Sequence, residues 1–204
     1  MKTIVLGAGI VGVATAWFLA KSGHEVDAIE RQPAAGLETS LANGCVIHVS
    51  EVEPWSRPGM PLKVLQWIGK EDAPLLLRLG ALPQMWRWGF DFARNCRSGR
   101  FRENARSNLD LALLSLRSLQ EIVAEAGIEY DRAARGVLKI YRSREALDQA
   151  ERLCTELAVH GLQYERVDAH RVVEVEPALE QARPTLVGGM YFARDEVGDC
   201  YLFT

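Results

Sequence analysis

The chain has 204 residues, is 48% hydrophobic and 25% charged, and carries a formal net charge of −3. These values exclude a disordered tail, a collagen-like fibre and a disulfide miniprotein, and leave one globular domain or two small ones. With 24 Lys and Arg against 27 Asp and Glu, no general basic excess is available to recruit a polyanion, so nucleic acid is not an expected ligand. Cys45, Cys96, Cys154 and Cys200 stand about fifty residues apart with no C-x-x-C pair, which is the wrong spacing for zinc. No metal is expected, and free thiols point to the cytoplasm.

The first stretch is ambiguous by hydropathy alone. No residue from Thr3 to Ala20 is charged, and Lys2 and Lys21 flank the run, which has the outline of a signal peptide or a membrane span. The glycines at 7, 9 and 12 fit better with a strand over residues 3–6 that turns tightly into a helix over 13–20. Gly7-Ala8-Gly9-Ile10-Val11-Gly12 is then a G-x-G-x-x-G fingerprint in the strand–turn–helix context that it requires. Gly7 permits the turn, Gly9 lets backbone amides approach a pyrophosphate, and Gly12 lets the helix pack closely on the strand. The helix N-terminus adds free N–H groups and the positive end of its dipole. Ser22-Gly23 ends the helix and residues 25–29 form a second strand. Glu30 closes that strand eighteen residues after Gly12, close to where an acid takes a ribose hydroxyl. An acid there disfavours NADP, and the fingerprint leaves FAD and NAD open. The small polar run Glu38-Thr39-Ser40-Leu41-Ala42-Asn43-Gly44 tips the choice to FAD, as a second phosphate-and-flavin contact.

Residues 54–83 have no sustained period, and Pro54, Pro58, Pro61, Pro74 and Pro83 punctuate short helical turns. A helix over 84–96 carries Trp86, Trp88, Phe90 and Phe92, which are expected in a core because aromatics supply much of a small domain's buried area. A longer helix over 105–126 aligns Leu109, Ala112, Leu116, Leu119 and Val123 on one stripe before Gly127. Seven arginines, at 78, 87, 94, 97, 100, 102 and 106, face only Asp91 and Glu103. This basic, aromatic surface is either a solvated face or a rest for anionic lipid. Beyond Gly136 the pattern is strand 137–141, helix 144–160, strand 163–167, a short helix and a last strand near 186–192, an α+β arrangement. Asp195, Glu196 and Asp199 cluster without the spacing of a calcium loop.

The chain resembles the FAD-dependent D-amino-acid dehydrogenases within the D-amino-acid oxidase-like flavoproteins. The resemblance is carried by Val5-Leu6-Gly7-Ala8-Gly9-Ile10-Val11-Gly12, Glu30-Arg31-Gln32-Pro33, Glu38-Thr39-Ser40, Ala42-Asn43-Gly44, Glu53-Pro54-Trp55, Pro61-Leu62-Lys63-Val64-Leu65 and Asp72-Ala73-Pro74-Leu75. It continues through Trp86-Arg87-Trp88, Arg135-Gly136-Val137-Leu138, Glu176-Pro177-Ala178-Leu179 and Asp195-Glu196-Val197-Gly198-Asp199. It runs along essentially the whole chain but only the first half of the family's length, so a truncated or partial chain is expected. The implied fold is α/β. It comprises the N-terminal part of a Rossmann-type FAD-binding domain with its βαβ unit over 1–53, a helical segment over 54–127, and part of an α+β substrate domain over 128–204.

The resemblance implies cofactor contacts at Gly7, Gly9, Ile10, Val11, Gly12, Glu30, Arg31, Thr39, Ser40, Asn43 and Gly44. The implied reaction is oxidative deamination of a D-amino acid by hydride transfer from Cα to the flavin, giving an oxo acid and ammonia after hydrolysis. Electrons would pass to a quinone or another acceptor, with peripheral contact at the inner membrane. An oligomer is compatible with this. Catalytic residues are unknown and expected mostly beyond Thr204. The family pattern breaks where Gly-Gln-Ile/Leu-Ser is usual and this chain has Cys45-Val46-Ile47-His48. That break motivates an alternative amine or imino-acid oxidase of glycine, sarcosine or hydroxyproline type. A further alternative is an inactive fragment or subunit that needs its missing half to cover unpaired sheet edges; a plain NAD-dependent dehydrogenase ranks third. His48 reads as a structural or surface residue, because no partner that would tune it is identifiable in sequence.

Overall fold

The computed structural model describes residues 1–70, 73–74, 80 and 82–204. Asp72 and Leu75 of the resemblance, and Arg78 of the basic cluster, lie outside the described residues. The chain divides into two compact units, one of residues 1–48, 116–153 and 163–204, the other of 49–115 and 154–162. These units do not follow the expected cuts at 53/54 and 127/128. The helices Ser98–Ala126 and Arg144–Ala158 each have residues in both units.

The first unit opens with β1 (Lys2–Leu6), α1 (Ile10–Lys21) and β2 (Glu25–Ile29). The two strands pair in parallel from Lys2↔Glu25 to Leu6↔Ile29, as a βαβ crossover allows. The expected strand, glycine turn, helix and second strand are all present, with α1 one turn longer at its start. Gly23, at φ +84°, ends α1 because the His24 N–H must reach back to the Leu19 carbonyl at 3.1 Å. Val5 is buried, while Ile4, Leu6 and Ile29 are exposed.

β3 (Val46–Ile47) pairs antiparallel with β7 (Glu196–Val197), and an isolated bridge joins Val197 to Ala133. The segment at Cys45 to His48, expected as a loop, is therefore partly a strand. Two-residue strands carry no readable period, and their partner is about 150 residues away. Behind this ribbon Ile122, Tyr130 and Phe203 form a core with Ile10, Trp17, Ile47 and Leu119 around them. Ile122 and Leu119 belong to the C-terminal part of α4 (Ser98–Ala126), and Phe203 to α7 (Cys200–Phe203). The Tyr130 and Phe203 rings meet edge to face at 5.5 Å.

A second sheet has the order β4-β6-β5, with β4 (Val137–Tyr141) and β5 (Glu165–Val167) both antiparallel to β6 (Gly188–Phe192). The central strand is the buried one, and Met190 is wholly enclosed. α5 (Arg144–Ala158), α6 (Ala169–Val175) and a 3-10 helix (Pro177–Thr185) complete this part. Val167, Val172 and Leu186 form its core, and Asp168 caps α6 through the Arg171 N–H at 2.8 Å.

The second unit holds α2 (Met60–Trp67), α3 (Leu82–Asn95) and the N-terminal part of α4. Ala105 and Leu109 are fully buried, and Asn108 Nδ2 donates to the Val52 carbonyl at 3.0 Å. α4 begins seven residues before the expected start. Its first turns are arginine-rich and lack an apolar stripe, so packing at Ala105 and Leu109 holds them where local pattern does not. The expectation that the α3 aromatics form a core is corrected. Trp86 is 63% and Phe90 62% exposed, and Trp88 is also exposed, while Phe92 alone of the four is half-buried and stacks on Trp88 at 5.2 Å. Arg87 lies over the Trp86 ring and Arg94 over Phe90. An amphipathic helix has two faces, and the aromatic residue types alone do not say which one meets solvent.

Candidate functional site

The C-terminal ends of β1 and β2 and the N-terminus of α1 surround a cleft of about 480 Å³. Gly7, Gly9, Ile10, Val11, Gly12, Glu30, Thr39, Ser40 and Asn43 all line it, together with Thr15, Gly36, Leu37 and Glu38. The structure thus brings nine of the eleven expected contacts together. Gly44 follows directly on Asn43 without lining the cleft, and Arg31 is turned to a different task.

The glycine turn is built for a close approach. Gly7 has φ +96°, and a Cβ on Gly12 would stand 1.9 Å from the Gly7 carbonyl oxygen. Neither position tolerates a side chain, so the first turn of α1 sits hard against the end of β1. Gly9 is the N-cap of α1 and offers no side-chain cap, and no acid stands in the first turn. The Ile10 N–H donates to Ser40 Oγ at 3.0 Å. Among the described residues the Val11 and Gly12 N–H groups have no hydrogen-bond partner, and the α1 dipole adds to them. An anion such as a pyrophosphate fits these donors.

Glu30 secures the other side of the turn. Its Oε2 accepts from the Ala8 N–H at 2.6 Å and its Oε1 from the Gln32 N–H at 2.9 Å. The Ala8 and then the Gln32 hydrogen bonds hold the Glu30 carboxyl below its ordinary range, so it is ionised and retains acceptor capacity for hydroxyls. A depressed carboxyl stabilises the fold above its ordinary value of 4.5, and that contribution vanishes as pH falls through the lower folded-state value. Melting temperature followed against pH should therefore drop more steeply in acid for the wild type than for Glu30→Gln. Parallel curves would count against this role.

Arg31 meets Glu38 in a two-pronged pair, with Nε to Oε1 at 2.6 Å and Nη2 to Oε2 at 2.7 Å, and Gln32 Nε2 adds a third donor at 2.9 Å. Gln32, then Arg31, hold the Glu38 carboxyl below its ordinary range. The clamp fixes the 31–38 loop beneath the cleft. Sequence reading had no signal for it beyond the opposite charges seven residues apart.

Asn43 shapes the next turn. Its Oδ1 accepts from the Cys45 N–H at 2.7 Å, and Cys45 adopts φ +51°. Glycine suits this left-handed conformation better than cysteine does, and glycine is the residue usual in the resembled family there. Cys45→Gly should raise the melting temperature by about 2 °C, the equivalent of less than about 1 kcal/mol in a chain of this size. A lower melting temperature in that variant would refute the strain.

Two buried acids stand side by side, Asp195 just before β7 and Glu196 at its start. Glu196 accepts from Arg132 at 2.8 Å through Nε and 2.5 Å through Nη2. Asp195 accepts from His48 Nδ1 at 3.2 Å. The sequence reading of His48 as a residue without an identifiable partner is corrected, since its partner lies 147 positions away. Among the described residues no group of His, Cys, Asp or Glu could hold a metal ion.

The chain matches the FAD dependent oxidoreductase (DAO) family over residues 2–204. It belongs to that family. FAD is accordingly the cofactor, and the glycine turn, the uncapped helix and Glu30 fit its diphosphate and ribose. D-amino acid dehydrogenases of Dechloromonas aromatica and Paramagnetospirillum magneticum are 45% and 44% identical to it, each across the whole chain and 49% of the relative. The chain thus spans about half the length of the curated relatives it matches. Among solved structures it is similar to glycine oxidase from Geobacillus kaustophilus, with TM-score 0.57, 19% identity and 98% of this chain on 41% of that one. It is also similar to FAD-bound L-alpha-glycerophosphate oxidase from Mycoplasma pneumoniae, with TM-score 0.59, 15% identity and 98% of this chain on 39% of that one. These likenesses confirm the expected Rossmann-type FAD-binding α/β fold.

Proposed function

We propose that the chain supplies the cofactor-binding part of an FAD-dependent enzyme that oxidatively deaminates D-amino acids. The observation carrying this reading is identity of 39–45% to D-amino acid dehydrogenases along all 204 residues, joined to a cleft whose donors suit a dinucleotide. When bound, FAD supplies the acceptor for the hydride removed from the substrate α-carbon. The Val11 and Gly12 amides bind its diphosphate, Glu30 accepts from the ribose hydroxyls, and Ser40 holds the Ile10 amide in place. Asn43 orders the turn leading to β3. The Arg31–Glu38 pair keeps the loop rigid, which is a positioning role.

The test is the visible spectrum of the purified protein after loading with FAD, followed by anaerobic addition of mixed D-amino acids. Bound flavin that bleaches supports the reading. Bound flavin that bleaches only with glycine or sarcosine, and forms peroxide in air, supports an oxidase instead; the departure at Cys45 to His48 favours that second reading. The exposed Ile4, Leu6 and Ile29 of the βαβ sheet support a need for further polypeptide to cover them in the active protein.

The electron acceptor in this reading is a quinone or another acceptor, with peripheral contact at a membrane. Among the described residues no helix is long and apolar enough to cross one. What supports contact is α3, where Trp86 and Phe90 project outward one turn apart with Arg87 and Arg94 beside them. The protein should sediment with vesicles rich in phosphatidylglycerol and not with phosphatidylcholine vesicles, and the Trp86→Ala/Phe90→Ala variant should stay in solution. Equal sedimentation of the variant would remove α3 from the contact.

A further inference from the structure

Cys45 and Cys200, far apart in sequence, line the same cavity of about 120 Å³. Both are free and partly exposed, whereas Cys96 and Cys154 are buried. The β3–β7 register brings the first two together. Val46 pairs with Val197, and beyond that pair the Gly198 N–H donates to the Cys45 carbonyl at 3.0 Å, so Cys45 stands opposite Gly198. Cys200 lies two positions on, the place of a diagonal neighbour on the same face of an antiparallel pair. Such neighbours are about 7–8 Å apart between Cα atoms, against about 5.5–6 Å in a disulfide, so closing a bridge takes a shift of about 2 Å. The Cys200 side is fastened. Asp199 donates its N–H to the Tyr130 carbonyl at 2.6 Å and caps the Leu202 N–H at 2.8 Å, and Phe203 is packed in the core. Cys45 instead ends an exposed turn after Asn43 and Gly44, in a left-handed conformation that favours glycine. Asn43 also lines the dinucleotide cleft, and its Oδ1 holds the Cys45 N–H. A shift of Cys45 therefore moves a wall of the cleft.

We propose that Cys45 and Cys200 form a reversible disulfide when a peroxide is present, and that closing it weakens the hold on FAD. One thiolate attacks a peroxide oxygen, the O–O bond breaks, hydroxide leaves and takes up a proton as water, and the sulfur becomes a sulfenic acid. The other thiol loses its proton and attacks that sulfur. The S–S bond forms, the S–O bond breaks, and the oxygen leaves as a second water. Together the two thiols give up two electrons and two protons, and one peroxide is reduced to two waters. An added dithiol reverses the bridge by exchange. Burial pushes the Cys96 thiol up, which keeps it from competing as a nucleophile. In a reducing compartment a disulfide of this kind is transient and regulatory.

The FAD-loaded protein is treated with hydrogen peroxide, its remaining thiols are alkylated, and its peptides are mapped by mass spectrometry without reduction, while FAD affinity is followed by flavin fluorescence. The Cys45 and Cys200 peptides should appear joined, lighter by two hydrogens, and should separate again after dithiothreitol. FAD affinity should fall by about fivefold or more on oxidation. It should recover on reduction, and it should stay constant in Cys200→Ser under the same peroxide. Unmodified Cys45 and Cys200, separate sulfinic acids, or a bridge from either to Cys96 or Cys154 would overturn the inference. The mapping reads the thiols directly, so it decides the bridge whatever the flavin content. A Cys45–Cys200 bridge with undiminished FAD affinity would overturn the coupling to the cleft, as would an equal loss of affinity in Cys200→Ser.

Discussion

Alanine in place of Gly12 abolishes flavin retention and sharply lowers the melting temperature. The added Cβ would sit 1.9 Å from the Gly7 carbonyl oxygen and 2.9 Å from its carbon, both backbone atoms. A flexible side chain could swing aside, but this carbonyl belongs to the turn that joins β1 to α1. The helix must therefore move off the strand, and the Val11 and Gly12 amides leave the positions that suit a diphosphate. Overpacking commonly costs about 1–3 kcal/mol, and a backbone-to-backbone collision belongs at or above the upper end. Gly9→Ala is the matched control. Its Cβ would meet Ser40 Oγ at 3.3 Å, a hydroxyl that can rotate away, so folding should survive while FAD affinity falls. The flavin-to-protein ratio and the melting temperature of both variants decide the matter. Gly12→Ala with wild-type values for both would show that helix and strand are not held together by this contact.

The βαβ unit was legible because all its determinants are local. Strand, glycines, helix and Glu30 fall within thirty residues, and each has a spacing set by backbone geometry. The stripe from Leu109 to Val123 was legible because burial repeats with the helical period, and Leu109 and Leu116 are indeed enclosed. The β3–β7 ribbon was not legible. Ile47 faces Glu196 across nearly the whole chain, and such short strands leave no alternation to read. Separations of 147 and 64 positions likewise hid the partners of His48 and Arg132. Cys45 stood out in sequence only as a departure from a family pattern; its positive φ supplies the physical reason why glycine suits that position. The α3 aromatics failed for a different reason, since their types signal large contact area but not whether the contact is with the protein's own core.

Removing the Arg132 guanidinium should destabilise the protein by about 3 kcal/mol, which corresponds to about 6–12 °C in melting temperature for a chain of this length. The Glu196 side chain is only 2% exposed, and among the described residues its Oε1 has no hydrogen-bond partner. Its other oxygen takes both hydrogen bonds from Arg132, so Arg132→Ala leaves an enclosed carboxylate with no compensating charge. The guanidinium is itself partly exposed, which keeps the expected loss at the lower end of the range for buried pairs. The Glu196 hydrogen bond, opposed by some burial, raises the Arg132 affinity for its proton, in the direction expected of a cation stabilised in the folded state. An acid left alone in an apolar setting is the source of the cost, and not the absence of attraction as such. The double variant Arg132→Ala/Glu196→Leu should therefore recover most of the stability that Arg132→Ala loses, although two polar groups have been deleted. Chemical denaturation of the two single variants and the double variant provides the cycle. If the double variant is as unstable as Arg132→Ala plus Glu196→Leu summed, the two side chains act independently, and the ribbon's stability lies in its backbone pairing.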